Sequence, residues 1–188
     1  ETPAALTVLR GLRVDGVGLN CATGPAEMSE HLRHLSKHAT VPVSVMPNAG
    51  LPQLGPKGAE YPLAPDELAE ALRGFVTDYG LALVGGCCGT TPEHIRQVAD
   101  AVHDAPRGHR TPAPENGVSS LYAAVPFDQD SSVLMIGERT NTNGSKAFRE
   151  AMIAEDYQKC IDIAKDQTRD GAHMLDLNVD YVGRDGAA

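Results

Sequence analysis

An α/β architecture built on parallel sheets follows from three observations in this 188-residue sequence. Short apolar runs alternate with stretches of about 10–15 residues whose apolar positions recur at helical spacing. The alternation stops across residues 104–130, where Pro, Gly and polar residues break every period, and it restarts beyond them. A parallel strand pair needs a crossover connection, which the intervening helices supply. With 41% apolar and 22% charged residues, the composition excludes wholesale disorder and fibrous repeats.

Taken in order, residues 4–13 read as the tail of a helix and 16–20 as a short strand ending at Asn20 and Cys21. Residues 25–39 set Met28, Leu32 and Leu35 at helical spacing, with Pro25 in the first turn, where a missing N–H does no harm. Residues 41–46 follow as a strand, and 50–65 as a Gly/Pro-rich loop. The clearest helix is 66–79, with Leu68, Leu72, Phe75 and Val76 on one stripe behind Pro65 and Asp66. Residues 81–86 form the next strand. Helix 91–102 then aligns Ile95, Val98 and Val102. Beyond the interruption, 132–136 reads as a strand, 146–170 as two helical stretches and 173–179 as a last strand. The domains are therefore expected at 1–105 and 131–188, with a linker at 106–130. Three βα units before the linker and about two after it are each too few to close a barrel of eight, so the chain reads as a fragment.

Lys and Arg total 16 against 25 Asp and Glu, a net charge of −9. That balance argues against a phosphate-backbone binder and against basic adhesion to anionic lipid. Neither nucleic acid nor a membrane is an expected partner. No run approaches the roughly 20 apolar residues that span a bilayer, and the opening Glu-Thr-Pro shows no secretory pattern. The four cysteines are too sparse for a disulfide scaffold, and two of them are adjacent. A soluble chain in a reducing cytoplasm is the expectation.

Cys21 follows the strand end Gly18-Leu-Asn20, and Cys87-Cys88 follow Val84-Gly-Gly86. In parallel α/β folds active sites assemble at that carboxyl edge. Three thiolates around one zinc ion, with a fourth position left open, make a catalytic coordination scheme, whereas a structural site is closed by four protein ligands. Successive strand residues point to opposite faces, so Cys87 and Cys88 can share a metal only where the chain leaves strand geometry; Gly85, Gly86 and Gly89 supply that freedom. The cysteines lie too far apart for a finger spacing, and residue chemistry leaves a metal ligand and a small buried hydrophobe both open. Cys160, on a helical stripe with Ile153, Tyr157, Ile161 and Ala164, reads as the buried hydrophobe.

Gly18-Leu-Asn-Cys21, Met46-Pro-Asn-Ala-Gly50 and Val84-Gly-Gly-Cys-Cys-Gly-Thr-Thr-Pro-Glu-His-Ile95 closely resemble the last third of the zinc-dependent homocysteine S-methyltransferase barrel. The resemblance implies zinc on Cys21, Cys87 and Cys88, homocysteine bound as the zinc thiolate, and Asn48 beside its amino-acid end. Zinc coordination deprotonates a thiol that at neutral pH is mostly protonated, giving a nucleophile with no external base. No catalytic residue is assigned beyond that activation.

A second constellation lies beyond the linker. Ile136-Gly-Glu-Arg-Thr-Asn141 runs from a strand end toward a helix, placing Glu138, Arg139 and Asn141 at a sheet edge. Asp176 and Asn178 share one face of another strand. Carboxylate with carboxamide suits a heterocycle that both donates and accepts hydrogen bonds, such as a pterin. Gly137–Asn141, Gly144-Ser145, Gly171-Ala172 and Leu175–Asn178 resemble the opening of a pterin-binding methyltransferase barrel, although Thr142-Asn143 stands where that family usually has Val-Thr. The order of homocysteine barrel, linker and pterin barrel is similar to that of the cobalamin-dependent folate–homocysteine methyltransferases.

What this resemblance implies is a segment containing parts of two (β/α)8 TIM-type barrels joined by a Pro/Gly-rich linker. Glu138, Asn141, Asp176 and Asn178 contact the pterin of 5-methyltetrahydrofolate, the co-substrate. The methyl group passes to cobalamin, as methylcobalamin, on a domain of the same parent chain that is absent here. It then passes to zinc-bound homocysteine, giving methionine and tetrahydrofolate. The isolated segment is expected to be inactive and to bind folate poorly.

Arg139 reads either as a partner of the folate tail or as a structural ion pair near Asp176. His31, His34 and His38 share a helix face whose Glu30, Arg33 and Lys37 point to a solvated surface. His94 reads as a helix-start residue, and His173 as a strand residue without a catalytic role. Two alternatives stay open. A cobalamin-independent homocysteine methyltransferase using betaine or S-methylmethionine leaves the second constellation unexplained. In a non-catalytic zinc or assembly module, the cysteines close a structural site, and exposed strand edges favour self-association.

Overall fold

A computed structural model describes residues 1–56, 58–130, 132–181 and 183. The chain forms two units, residues 1–115 with 121–123, and residues 116–120 with 124–188. The expected start of the second domain at 131 and its last residues, 184–188, lie outside the described residues.

The first unit contains α1 (Thr2–Arg10), β1 (Val17–Asn20), α2 (Pro25–His38), β2 (Val43–Met46), β3 (Gln53–Gly55), β4 (Gly58–Glu60), α3 (Pro65–Tyr79), β5 (Leu83–Val84) and α4 (Pro92–His103). Strands β1, β2 and β5 pair side by side, all parallel, in register from Val17↔Val43 to Asn20↔Met46 and at Ser44↔Leu83 and Val45↔Val84. The alternation of apolar runs and helical stripes has its physical cause here. Val43 and Val45 point into a core shared with Leu32, Leu68 and Leu72, all fully buried, and each such side chain stabilises the fold by about 1.5–3 kcal/mol. Proline opens α2, α3 and α4 in the first turn. Helix α3 ends where Gly80 takes φ 64°, the left-handed stop that glycine tolerates best.

Two stretches that composition marked as irregular carry structure. Within 50–65, β3 and β4 form an exposed antiparallel hairpin whose Leu54 meets solvent, so no apolar period announced it. Residues 106–115, at the head of the expected linker, lie along the first unit. The Arg110 guanidinium donates to the carbonyls of Leu35, Ser36, Ala39 and Val41, closing the end of α2. Gly108 N–H reaches Val76 O (2.9 Å), and Ala113 N–H reaches Lys37 O (2.8 Å). This strap buries His38, whose Nδ1 lies 2.8 Å from Ala113 O, so that histidine is not on the solvated face its neighbours suggested.

The second unit contains the antiparallel pair β6 (Gly117–Ser119) and β7 (Ala124–Pro126), then β8 (Ile136–Asn141), α5 (Lys146–Ile153), α6 (Tyr157–Arg169) and β9 (Met174–Asn178). β8 and β9 are parallel, with an irregularity between Gly137 and Thr140. The strand expected at 132–136 is displaced: Val133 and Met135 are exposed, and pairing runs through the polar residues up to Asn141. Buried Gln167 holds this region, accepting from Arg139 N–H (2.6 Å) and donating to Thr140 Oγ1 (3.4 Å). Phe148, Ala151 and Cys160 form the small core. Cys160 is buried as expected, but Ile153, Tyr157 and Ile161 of its predicted stripe are exposed. No described helix is long and apolar enough to cross a membrane.

Candidate metal centre and polar strand edge

The cysteines converge because two strand ends turn inward. At the end of β1 the chain leaves extended geometry at once, with Cys21 and Ala22 both left-handed (φ 62° and 63°), a region that side chains bearing a Cβ seldom occupy. Cys21 N–H still bonds Met46 O (2.9 Å), and Thr23 N–H closes the corner on Cys21 O (2.7 Å). Beyond β5, Cys87 N–H donates to Pro47 O (2.8 Å), while Thr90 Oγ1 and N–H both reach Cys87 O (2.7 and 3.2 Å). Cys88 N–H donates to the amide oxygen of Asn48 (3.1 Å), and Cys88 O accepts from Ala49 N–H (2.9 Å). Asn48 is 2% exposed, so its side chain is part of the scaffold that fixes the double-cysteine turn.

Two of the three glycines singled out in the sequence are required sterically. A Cβ on Gly86 would fall 2.3 Å from Thr90 Cγ2, and one on Gly89 would fall 2.3 Å from Tyr61 Cβ at a residue whose φ is +78°. Gly85 meets no such contact.

The outcome is a trio of sulfurs. Cys21 Sγ lies 3.6 Å from Cys88 Sγ, Cys87 Sγ lies 4.0 Å from Cys88 Sγ, and all three fall within 4.8 Å of one another. A tetrahedral zinc with bonds of about 2.3 Å sets its sulfurs about 3.8 Å apart, so the spacing and the soft donors fit that ion. Among the described residues no other group of three His, Cys, Asp or Glu side chains converges in this way. Cys88 is exposed, and Cys21 and Cys87 are half-buried, so the trio is open to solvent.

Ala22 N–H, followed by the Cys88 and Cys87 thiols and the Asn48 amide, holds the Cys21 thiol below its ordinary range. Asn20 Nδ2 lies 3.9 Å from Cys87 Sγ. The neighbouring Cys21 thiol pushes the Cys88 thiol above its ordinary range, against a smaller downward pull from Tyr61, and Cys88 in turn raises the Tyr61 phenol. Tyr61 carried no signal in the sequence, and Asn20 only its place in the Gly18–Cys21 run. Tyr61 follows the exposed hairpin and reaches the site only because its ring rests on Gly89.

His94 and His173 are structural. His94 bonds Thr91 Oγ1 (2.8 Å) and Leu63 O (2.9 Å) at the start of α4, and His173 Nδ1 accepts from Met135 N–H (2.9 Å).

In the second unit Asn141 Nδ2 donates to Asp176 Oδ2 (2.8 Å), while Asn141 Oδ1 accepts from the N–H groups of Asn143 (2.9 Å) and Gly144 (3.3 Å). Asn178 stands opposite Asn141 in the strand register, and its Oδ1 accepts from Asp180 N–H (2.9 Å). These three residues meet at one strand edge. Glu138 is exposed near the irregularity and lines a hollow of about 310 Å³ with Arg139, Gln167 and Asp170. Arg139 pairs with Asp170 and not with Asp176, because Asp176 is taken by Asn141 and Asp170, just past the end of α6, lies beside the guanidinium.

Residues 1–102 match the family model for homocysteine S-methyltransferase, and residues 137–187 match the model for pterin binding enzymes. The chain is 75% identical over 188 residues to a methionine synthase of Mycobacterium tuberculosis. It is 73% identical over 193 aligned residues to a methionine synthase of Mycobacterium leprae. Each match covers the whole chain but 16% of the relative's length.

Proposed function

This chain belongs to the homocysteine S-methyltransferase family, and from that premise we propose that Cys21, Cys87 and Cys88 hold a zinc ion with one position left for the sulfur of homocysteine. The convergence of the three sulfurs within 4.8 Å carries this reading. When bound, zinc supplies Lewis acidity that keeps an incoming thiol in its thiolate form at neutral pH. The chain's own residues prepare that site. The Ala22 N–H favours deprotonated Cys21, and the Pro47 and Asn48 acceptors fix the backbone of Cys87 and Cys88. Asn48 sits beside the amino-acid end of the substrate.

In the same reading the polar edge of the second unit receives the pterin of 5-methyltetrahydrofolate. Asp176, Asn141 and Asn178 offer acceptors and donors in one place, and Glu138 approaches from beside them. The chain is then a segment of a cytoplasmic methionine synthase, with parts of two TIM-type barrels joined through 106–130. Methyl transfer from folate to homocysteine is the reaction of the whole protein. Cobalamin is taken as the carrier, held by a separate module, and no described residue is assigned to it. Departure of the methyl group leaves a folate nitrogen that must be protonated, and no residue here is assigned as the acid.

Equilibrium dialysis tests the site. One zinc per chain is expected, with affinity lowered at least 100-fold by Cys21→Ser, Cys87→Ser or Cys88→Ser, since each removes one of three protein ligands. Cys160→Ser is expected to leave zinc binding unchanged. Retention of zinc by all three single variants contradicts the proposal.

A further inference from the structure

The double-cysteine turn is held from behind by a path of hydrogen bonds that ends at His94. Cys88 O accepts from Ala49 N–H (2.9 Å), and Ala49 O accepts from Leu63 N–H (3.0 Å). Leu63 O in turn accepts from His94 Nε2 (2.9 Å), and His94 Nδ1 accepts from Thr91 N–H (3.2 Å). Thr90, the residue before, closes on Cys87 O through its N–H and its hydroxyl (3.2 and 2.7 Å). A backbone N–H can only donate and a carbonyl can only accept, so these partners set the imidazole neutral with its proton on Nε2. His94 is buried, at 7% exposed. The start of α4 needs only the Nδ1 acceptor, which completes the capping box on Thr91 N–H. The Nε2 bond reaches 31 residues back, to the segment that follows the β3–β4 hairpin, and joins nothing that the helix requires.

We propose that His94 is a positioning residue for the metal centre: its Nε2–H clasps the Leu63 carbonyl and so holds Ala49, and through Ala49 the Cys88 backbone, at the spacing the three sulfurs need. Between Cys88 and His94 every other partner on the path is a backbone group, so the His94 side chain is where a substitution opens it. Tyr61, two residues before Leu63, is held by the same clasp against Gly89, where an added Cβ would fall 2.3 Å from its own. Groups behind the ligands of a metal orient them, and losing one weakens metal binding about 10–100-fold. The inference rests on the zinc reading above and gives a second task to a histidine that the helix start alone would explain.

Two substitutions separate the two ring bonds. In His94→Gln the side-chain amide extends as far as Nε2 and keeps a donor for Leu63 O, whereas His94→Asn is shorter and keeps only an acceptor for Thr91 N–H. Zinc affinity is measured by equilibrium dialysis on the full chain, and cobalt(II) in place of zinc reports the sulfur geometry through its visible spectrum. His94→Asn is expected to bind zinc about tenfold more weakly and to shift the cobalt bands, and His94→Gln to stay within about twofold of the wild type. Thr91→Ala removes the hydroxyl that caps α4 and is expected to lower the melting temperature without moving zinc affinity or the cobalt bands. Wild-type affinity in His94→Asn, or equal losses in the Asn and Gln variants, overturns the inference alone. Should His94→Asn fail to fold, His94→Gln decides: wild-type affinity supports the clasp, and a tenfold loss overturns it. A wild-type chain that holds no zinc defeats the zinc reading and the inference with it.

Discussion

Among the described residues, the cysteines of the first unit stand on a three-stranded sheet backed by a cluster of fourteen buried apolar residues, whereas the polar strand edge of the second rests on a two-stranded sheet and a cluster of three, Phe148, Ala151 and Cys160. The difference shows in the sites. Cys21 and Cys87 are tied by backbone hydrogen bonds to Met46 and Pro47, and Cys88 N–H by the Asn48 side chain, so the sulfur spacing is set by the end of β2 and the residues just past it. Asp176 and Glu138 remain exposed, and their neighbours are polar side chains at a strand edge. A metal centre needs such fixed spacing, and a broad heterocycle needs walls. The first unit therefore carries its proposed chemistry within the described residues, while the second offers one edge of a pocket.

The largest effect separates the two cores. Phe148→Ala removes the bulkiest of the three buried apolar side chains described in the second unit and is expected to cost about 3–5 kcal/mol, enough to unfold that unit. The first unit should persist, which retained zinc binding would report during urea unfolding. Leu72→Ala is expected to cost about 2–5 kcal/mol in the first unit and leave it folded. Loss of both units together in Phe148→Ala breaks the comparison.

Next in size is Asn48→Ala, which empties the place of a buried side chain and leaves the Cys88 N–H of a part-buried turn without its acceptor. The expected penalty is about 1–3 kcal/mol in stability and about 10–100-fold in zinc affinity. A change in melting temperature with unaltered zinc affinity would show that the turn holds without it.

The smallest effect concerns pH. Arg96 and Gln97 hold the Glu93 carboxyl down to about 2, from an ordinary 4.5. Its folded value is depressed, so the stability it adds is fully present above pH 4.5 and is lost as pH falls toward 2. Both Glu93 and Arg96 are more than half exposed, which makes the contribution small. Glu93→Gln is expected to lower the melting temperature slightly at pH 7 and to match the wild type near pH 2. An unchanged difference at low pH contradicts the pairing.

Legibility in the sequence followed locality. Helix α3 announced itself through Pro65, Asp66 and a stripe of apolar residues, all within one stretch. The double-cysteine turn was readable from Gly85, Gly86 and Gly89, whereas Cys21 joined it only through the family resemblance, since that strand end turns on the left-handed Cys21 and Ala22. The anchoring of Cys88 by Asn48, forty residues away, and the approach of Tyr61 were not readable, because both depend on how separate loops fold back. The strap 106–115 was hidden for the same reason, since Arg110 finds its carbonyls on a distant helix end. Strand β8 was misplaced by apolar residues 133–135, which are not paired in its ladder. Its polar residues are paired with β9, held by a buried glutamine that no periodicity reveals.

X-ray absorption at the zinc edge, recorded on the zinc-loaded chain with and without homocysteine, tests the open trithiolate most directly. Three sulfur neighbours and one lighter atom are expected without substrate, changing to four sulfurs when homocysteine is added. A shell of four protein ligands that does not change on adding homocysteine would contradict the account.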